Sequence, residues 1–207
     1  MSSNDENKIA AIYNGRLKQG LPDFKTVGWG SKSSQYLRFK ILSEIDDLKG
    51  AKVLDVGCGL GELYYFFEKN DFKIQSYKGI DISEELIKEA RKRFSIEKKA
   101  SFDYLNIDKV MGEGIYDYIF LSGSINLKME NNLSFAKMAL NRMYSLCRKG
   151  IACNFLSSYV DFSLAKDHHY SPEELFSYSK KLSNRVVLRH DYPLYEFTIY
   201  IYKEDYK

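Results

Sequence analysis

The sequence contains few cysteines and no pattern that would pair them. Its 207 residues include three, Cys58, Cys147 and Cys153, and no two of them form a Cys-x-x-Cys motif. An odd number of widely spaced cysteines argues against a disulfide framework and against a cysteine zinc site, and it is typical of reduced thiols in a cytoplasmic protein. We therefore expect a cytoplasmic chain without a bound metal.

Long hydrophobic runs and a large charge of one sign are also missing. The first residues, MSSNDENK, are polar and predict no secretory signal, and no apolar run approaches the length of a membrane span. The 31 basic and 28 acidic residues leave a net charge of +3, which is small for a surface that binds nucleic acid. The composition favours a globular protein with no membrane span and no nucleic-acid partner.

The most informative segment that is present is VLDVGCGLG at residues 53–61. Val53, Leu54 and Val56 are apolar and predict a buried strand, and residues 60–70 carry the apolar spacing of a helix. Glycines lie between the two elements. A strand, a glycine-rich turn and a helix N-terminus form a place where the backbone comes close to a ligand, although such a turn can also form without one.

The polar residues of this segment decide which ligand it suits. The nucleotide fingerprint G-x-G-x-x-G would require glycine at position 62, where Glu62 would repel a pyrophosphate, and this disfavours a nicotinamide dehydrogenase. The pattern D-x-G-x-G-x-G, formed by Asp55, Gly57, Gly59 and Gly61, suits a ligand with a cationic amino-acid end. This pattern resembles motif I of the class I S-adenosylmethionine-dependent methyltransferases.

Strands and helices alternate along the rest of the chain. The predicted strands cover 53–56, 77–81, 101–105, 116–121, 151–156, 185–190 and 195–202, and helices are expected at 60–70, after Ser83, at 130–149 and after Ser171. The alternation predicts an α/β fold with a parallel sheet and helices on both faces, and the last two strands predict an antiparallel hairpin. The family resemblance implies the Rossmann-like class I methyltransferase fold, with a mostly parallel seven-stranded sheet.

The segment before the first strand is expected to be helical. Two helices are predicted there, the second capped by Ser33 or Ser34. Between them lies Trp29, the only tryptophan of the chain, with a glycine on each side. We expect residues 1–49 to form a lid over the cofactor and the acceptor, and residues 50–207 to form the methyltransferase domain.

The resemblance implies S-adenosylmethionine as the cofactor and S-adenosylhomocysteine as the product. Asp81 ends the second predicted strand, where a Rossmann-like fold binds ribose hydroxyls. Asn106 stands where the family usually has an aspartate for the adenine amino group, with Asp108 as the alternative, and Arg38 suits the methionine carboxylate. The predicted cofactor-binding residues are Trp29, Arg38, Asp55, Gly57, Cys58, Gly59, Gly61, Asp81, Ile82, Asn106, Ile107, Ser122 and Gly123.

The acceptor site is expected between the N-terminal lid and the loop that follows the fifth strand. Tyr13 and His168 are the candidate catalytic residues, because a sugar hydroxyl needs a general base. A phosphate or phosphoramidate oxygen is already anionic and would instead need a cation such as Arg16 or Lys166. Both acceptor types stay open at this point.

Further segments, among them GWGSKSSQYLRF, YDYIFLSGSINL and VVLRHDYPLYEFTIYIYK, resemble small bacterial methyltransferases, some of which belong to biosynthetic clusters for surface polysaccharides. The resemblance implies methyl transfer to a small-molecule acceptor, an oxygen of a sugar, a nucleotide-linked or a phosphoramidate-type precursor, in capsular or surface polysaccharide biosynthesis. The expected assembly is a monomer or a homodimer. The alternative is a catalytically silent subunit that binds the cofactor and activates another methyltransferase.

Overall fold

The computed structural model describes residues 1–203, in which strands and helices alternate as the sequence predicts. Residues 204–207 of the predicted methyltransferase domain lie outside the described part. The elements are α1 (Ser3–Lys18), α2 (Asp23–Thr26), α3 (Lys32–Ser43), β1 (Lys52–Val56), α4 (Glu62–Lys69), β2 (Ser76–Asp81), α5 (Glu84–Arg93), β3 (Ala100–Tyr104), a 3₁₀ turn (Ile107–Lys109), β4 (Tyr116–Ser122), α6 (Asn132–Leu146), β5 (Cys147–Leu156), α7 (Pro172–Ser179), β6 (Val186–Arg189) and β7 (Glu196–Tyr202).

The strands form one sheet with the order β3-β2-β1-β4-β5-β7-β6. The first five strands pair in parallel, whereas β7 runs antiparallel to both β5 and β6. The predicted seven-stranded Rossmann-like sheet with an antiparallel C-terminal hairpin is thus confirmed. The strand order reverses between β1 and β4, and in open α/β sheets ligands bind beside the carboxyl ends of the strands at such a point.

Both faces of the sheet are buried under helices, which is why the central strands are apolar in nearly every position. One core packs α6, with Ala136 and Met143, against strand residues such as Leu54. The other core packs α3 and α4, with Leu42 and Phe67, against the opposite face. The side chain of Asp55 points toward this second face, because it alternates with Leu54 along β1.

Helix α6 is shorter than the sequence predicts. The pattern at 130–149 predicts a helix that Gly150 ends, but α6 ends at Leu146 and β5 begins at Cys147. Cys147 pairs with Tyr116 of β4, and Gly150 pairs with Tyr202 of β7. Pairing with two neighbouring strands outweighs the local helical pattern at these residues.

The start and end of α3 also differ from the prediction. The helix is capped by Ser31, whose hydroxyl oxygen accepts a hydrogen bond from the backbone N–H of Ser34 at 3.1 Å. The helix ends at Ser43, and the apolar residues Ile45 and Leu48, which the periodicity assigns to it, are buried in the turns that lead to β1. Periodic apolar residues need burial, and a packed turn satisfies that need as well as a helix does.

Two further structural facts concern the described residues 1–203. None of their helices has the length and apolarity needed to cross a membrane. Their histidine, cysteine, aspartate and glutamate side chains form no group of three or more that could hold a metal ion.

Candidate active site

A cavity lies at the carboxyl ends of β1, β2 and β4, where the strand order reverses. Its walls are the glycine turn after β1, the ends of the neighbouring strands and the N-terminal segment. The predicted residues that line it are Tyr13, Trp29, Asp55, Gly57, Cys58, Gly59, Asp81, Ile82, Asn106, Ile107, Ser122 and Gly123. Arg38, Gly61 and His168 of the predicted set are not among the lining residues.

The glycine turn is shaped by positive φ angles and close neighbours. Gly57 and Gly59 have φ angles of 74° and 54°, a region that favours glycine. A Cβ at Gly57 would lie 2.2 Å from Cβ of Ser124, and a Cβ at Gly59 would lie 2.8 Å from Cγ1 of Val27. These glycines let a strand end, the loop after β4 and the N-terminal segment meet at one edge of the cavity.

Gly61 serves packing at this turn, and its predicted place in the cofactor site stays a prediction. It is the N-cap of α4, with a φ of 79°. A Cβ there would lie 2.6 Å from the ring of Phe94 and 2.9 Å from that of Phe102. Its missing side chain therefore makes room for aromatic residues that lie under the turn.

Asp55 is a buried carboxylate with one free oxygen. Its exposed fraction is 2%, and the hydroxyl of Tyr77 donates to its Oδ2 at 2.5 Å. Its Oδ1 has no hydrogen-bond partner among the described residues. Burial raises the pKa of Asp55 to about 7; the Tyr77 hydrogen bond opposes this rise and the charge of Asp81 adds to it. A buried, partnerless carboxylate oxygen in a cavity suits a cationic group.

Asp81 holds two turns of the cavity wall together. Its carboxylate accepts the backbone N–H of Gly59 at 2.9 Å and that of Ser83 at 2.8 Å. Burial raises the pKa of Asp81, while these backbone N–H groups act in the opposite direction. A carboxylate can accept about four hydrogen bonds, so capacity remains for hydroxyl groups of a ligand.

The N-terminal segment covers the cavity and bonds to its rim. On α1, Oδ1 of Asn14 accepts a hydrogen bond from the hydroxyl of Ser83 at 2.7 Å. The carboxylate of Glu6, also on α1, accepts a hydrogen bond from the side-chain amide of Asn106. Asp108, the alternative to Asn106, is exposed and lies outside the cavity lining. These polar contacts seat α1 across the ends of β2 and β3.

Tyr13 lines the cavity, but the electrostatics oppose its use as a general base. Burial raises the pKa of its hydroxyl to about 12, and the charges of Asp81 and Asp167 add to this rise, while Arg16 opposes it. The guanidinium of Arg16 lies 5.2 Å from the centre of the Tyr13 ring. At neutral pH the hydroxyl therefore keeps its proton and can donate a hydrogen bond.

His168 lies outside the cavity, contrary to what its predicted catalytic role requires. Its ring packs edge-on against Tyr170, with 4.6 Å between ring centres, and its backbone N–H donates to the carbonyl of Asn126 at 2.8 Å. Burial lowers the pKa of its imidazole, and the positive charges of His169 and Lys128 act in the same direction. A role as the general base stays a prediction that this geometry does not support.

Arg38 has a partner that the sequence did not indicate, which corrects its predicted pairing with a ligand carboxylate. Its Nε donates to Oε2 of Glu196 at 2.6 Å, and its Nη2 donates to the other carboxylate oxygen. The guanidinium lies 4.2 Å from the centre of the Trp29 ring. Glu196 also accepts a hydrogen bond from Nδ2 of Asn154 at 3.1 Å.

Gln35 is a cavity residue that the sequence analysis left out. Its exposed fraction is 1%, and its Oε1 has no partner among the described residues. The available signal was its position in α3, one turn before Arg38 and on the same side of the helix. That signal shows a shared face of a helix, but it does not show what the face contacts.

Comparisons with known proteins identify the family. A family model described as a methyltransferase domain matches residues 47–189. A protein of Mycobacterium tuberculosis, assigned as the methyltransferase Rv1506c, is 35% identical over 156 residues, which are 72% of this chain and 91% of that protein.

Solved methyltransferases share the fold at low sequence identity. The magnesium protoporphyrin IX methyltransferase of Synechocystis PCC 6803, with bound S-adenosylhomocysteine, has a TM-score of 0.70 and 14% identity over 97% of this chain and 100% of that chain. The 1,6-didemethyltoxoflavin-N1-methyltransferase of Burkholderia thailandensis, with bound 1,6-didemethyltoxoflavin and S-adenosylhomocysteine, has a TM-score of 0.71 and 16% identity, over 99% and 92% of the two chains. From the matching family model and the 35% identical relative, the chain belongs to the methyltransferase domain family.

Proposed function

We propose that the chain is an S-adenosylmethionine-dependent methyltransferase that acts on a small polar acceptor. The observation that supports this most strongly is the pair of free oxygens in the cavity, Oδ1 of Asp55 and Oε1 of Gln35. Two such acceptors fit the ammonium group of the cofactor's methionine part. The glycine turn beside them brings backbone to the same edge of the cavity.

The other lining residues fit the remaining parts of the cofactor. Asp81 has capacity for ribose hydroxyls, and Asn106 can accept from an adenine amino group through its carbonyl. The cofactor, when bound, supplies a methyl group on an electrophilic sulfonium. The chain contributes placement and exclusion of water, since an in-line transfer depends mainly on how the reacting groups are held. The phenol of Tyr13 stays protonated and can donate a hydrogen bond in this site.

Binding is tested by calorimetry with S-adenosylhomocysteine and with NADH. We expect a dissociation constant in the micromolar range or below for the former and no heat with the latter. Asp81→Ala should weaken binding by about 1–3 kcal/mol, the range for a hydrogen bond to a charged group. Asp103→Ala is the matched control, because Asp103 pairs with Lys78 and Arg91 outside the cavity. Heat with NADH alone would refute the proposal.

The proposed acceptor is an oxygen of a sugar, a nucleotide-linked or a phosphoramidate-type precursor in capsular or surface polysaccharide biosynthesis. Its support is the resemblance of the sequence segments, together with a cavity that the N-terminal segment covers. We include a cytoplasmic location and a monomeric or homodimeric state in the proposal. Transfer of a labelled methyl group to nucleotide sugars, with none to tRNA, DNA or protein, is the expected result. Cofactor binding without any transfer would instead indicate the silent partner subunit.

A further inference from the structure

Buried polar atoms without a partner are concentrated in one row of this protein. Among the described residues, six such side-chain atoms occur. Five of them belong to Gln35, Arg38, Asp55, Ser122 and Asn154, and we call this set of residues the row. Buried polar groups in folded proteins nearly always have a partner, so a cluster of exceptions needs an explanation.

The row follows from the register of the sheet. Ser122 of β4 pairs with Asn154 of β5, and Asn154 pairs with Thr198 of β7. Paired residues share a face of the sheet, and Glu196, two positions before Thr198, shares it as well. The hydrogen bond from Asn154 to Glu196 at 3.1 Å confirms this placement.

Helix α3 packs over the face of the sheet that carries these residues. It places Gln35 at the cavity and Arg38, one turn further on, over Glu196. The ring of Trp29 lies between Gln35 at the cavity end of the row and Arg38 at the other end. It is 4.2 Å from the guanidinium carbon of Arg38, and it packs close against Gly123, where an added Cβ would be 2.2 Å from the ring. Trp29 therefore lies between the cavity, which Ser122 lines, and the polar atoms of Arg38 and Asn154, which lie outside its lining.

The charges at the Arg38 end of the row already balance each other. Arg38 uses Nε and Nη2 for the two oxygens of Glu196, so the pair has no net charge and Nη1 is left over. Nη1 can donate, Oδ1 of Asn154 can accept, and the hydroxyl of Ser122 can do both. A fully ionised phosphate would find no excess positive charge here and could not donate to Asn154, whereas adjacent hydroxyls can both donate and accept.

We propose that Arg38 Nη1, Asn154 Oδ1 and Ser122 Oγ bind vicinal hydroxyl groups of a saccharide acceptor, and that Trp29 moves aside to admit it. This inference rests on the proposed methyltransferase function and narrows its acceptor to a sugar. The hydroxyls bound by the row orient the acceptor. The methyl group is received by another of its oxygens.

The test uses the fluorescence of Trp29, the only tryptophan, in the full chain with saturating S-adenosylhomocysteine. The probes are the methyl glycosides of glucose, galactose and mannose, with methyl phosphate as the anionic comparison. We expect a saturable change with at least one glycoside and none with methyl phosphate. A saturable response to methyl phosphate alone, or no response to any probe, would overturn the inference.

Ser122→Ala tests the site without breaking a protein contact, because the Ser122 hydroxyl has no partner. It should weaken glycoside binding about tenfold, as the loss of one hydrogen bond does, and this loss should exceed any loss of affinity for S-adenosylhomocysteine. The control is Tyr36→Phe, which removes the Tyr36 hydroxyl, the sixth of the partnerless atoms. Tyr36 packs against Phe39 and Phe66, away from the row. Equal glycoside affinity in both variants would refute the role of Ser122.

The assay separates the two proposals. If S-adenosylhomocysteine itself fails to bind, the proposed function is wrong. If it binds and the glycosides do not, the saccharide site alone is wrong. If Ser122→Ala lowers the affinity for S-adenosylhomocysteine instead, the hydroxyl belongs to the cofactor site and the inference is again wrong.

Discussion

Asp55 shows how one residue can lower stability and still suit a binding site. Its carboxylate is buried with a single hydrogen bond, from Tyr77, and burial raises its pKa from 3.8 to about 7. The folded state therefore holds a proton that the unfolded chain releases between about pH 4 and 7. Across this window the contribution of Asp55 to stability falls as the pH rises. The charge that costs stability is the one that a cationic ligand would neutralise.

Replacement of this carboxylate by its neutral isostere should stabilise the protein at high pH. Asp55→Asn removes the titration and is expected to raise the free energy of unfolding by about 2–4 kcal/mol at pH 8, with the gain disappearing near pH 4. Urea unfolding at the two pH values measures this. Asp108→Asn, an exposed substitution in the turn after β3, should change stability by less than about 0.5 kcal/mol at both. A gain that is the same at both pH values would contradict the explanation.

The glycine turn allows a sharper test of a single position. Gly57→Ala forces an L side chain to a φ of 74° and places its Cβ 2.2 Å from the Cβ of Ser124. We expect loss of S-adenosylhomocysteine binding by at least about tenfold, because the turn and the loop after β4 must separate. Gly30→Ala is the matched control, since nothing lies within 4 Å of its added Cβ. Calorimetry on both variants decides the result, and unchanged affinity in Gly57→Ala would remove this turn from the site.

Helix α1 lies at the rim of the cavity. Its polar side chains bond to Ser83 and Asn106 on the rim, and its apolar residue Ile9 lines the cavity. A helix that is attached by so few contacts can open locally at a low free-energy cost. Elements that cover ligands belong to these less stable parts of a fold. The sequence predicts residues 1–49 as a lid. The contacts of α1 with the rim support this proposal for the first helix, whereas α3 packs in the core against the sheet.

Hydrogen exchange can test the lid. Backbone amides of α1 should exchange more slowly with saturating S-adenosylhomocysteine, because a bound ligand fills the space under the helix. Amides of α7, which contributes no residue to the cavity lining, should slow less than those of α1. The fluorescence of Trp29 should respond in the same titration. Unchanged exchange in α1 at saturation would place the lid elsewhere.

The whole molecule should gain stability from the cofactor by mass action. A ligand present at 100 times its dissociation constant adds about 2.7 kcal/mol to the free energy of unfolding. For a domain of this size, 1 kcal/mol corresponds to about 2–4 °C in melting temperature, so S-adenosylhomocysteine should raise it by roughly 5–11 °C. Adenosine at the same concentration should give a smaller rise in melting temperature, because it lacks the amino-acid end that Asp55 and Gln35 are proposed to hold. Equal shifts would contradict that assignment.

The elements and their order could be predicted from local patterns. An apolar run followed by glycines predicts β1 and the turn after it, and Ser83 at the start of α5 caps that helix by accepting from the N–H of Leu86 at 3.2 Å. Such signals are carried by residues that are neighbours in the chain, so they need no knowledge of the rest of the fold. The alternation of these elements then allows few topologies, because parallel strands require crossovers of one hand.

The partners of the polar residues could not be predicted in this way. Arg38 and Glu196 are 158 positions apart, and nothing local to either residue indicates the other. The early end of α6 has the same cause, since Cys147 joins a sheet whose other strands come from distant parts of the chain. Side chains compete for partners only after the elements have packed. The identity of the residues that face the cavity, and of those left without a partner, therefore depends on long-range contacts that no local pattern contains.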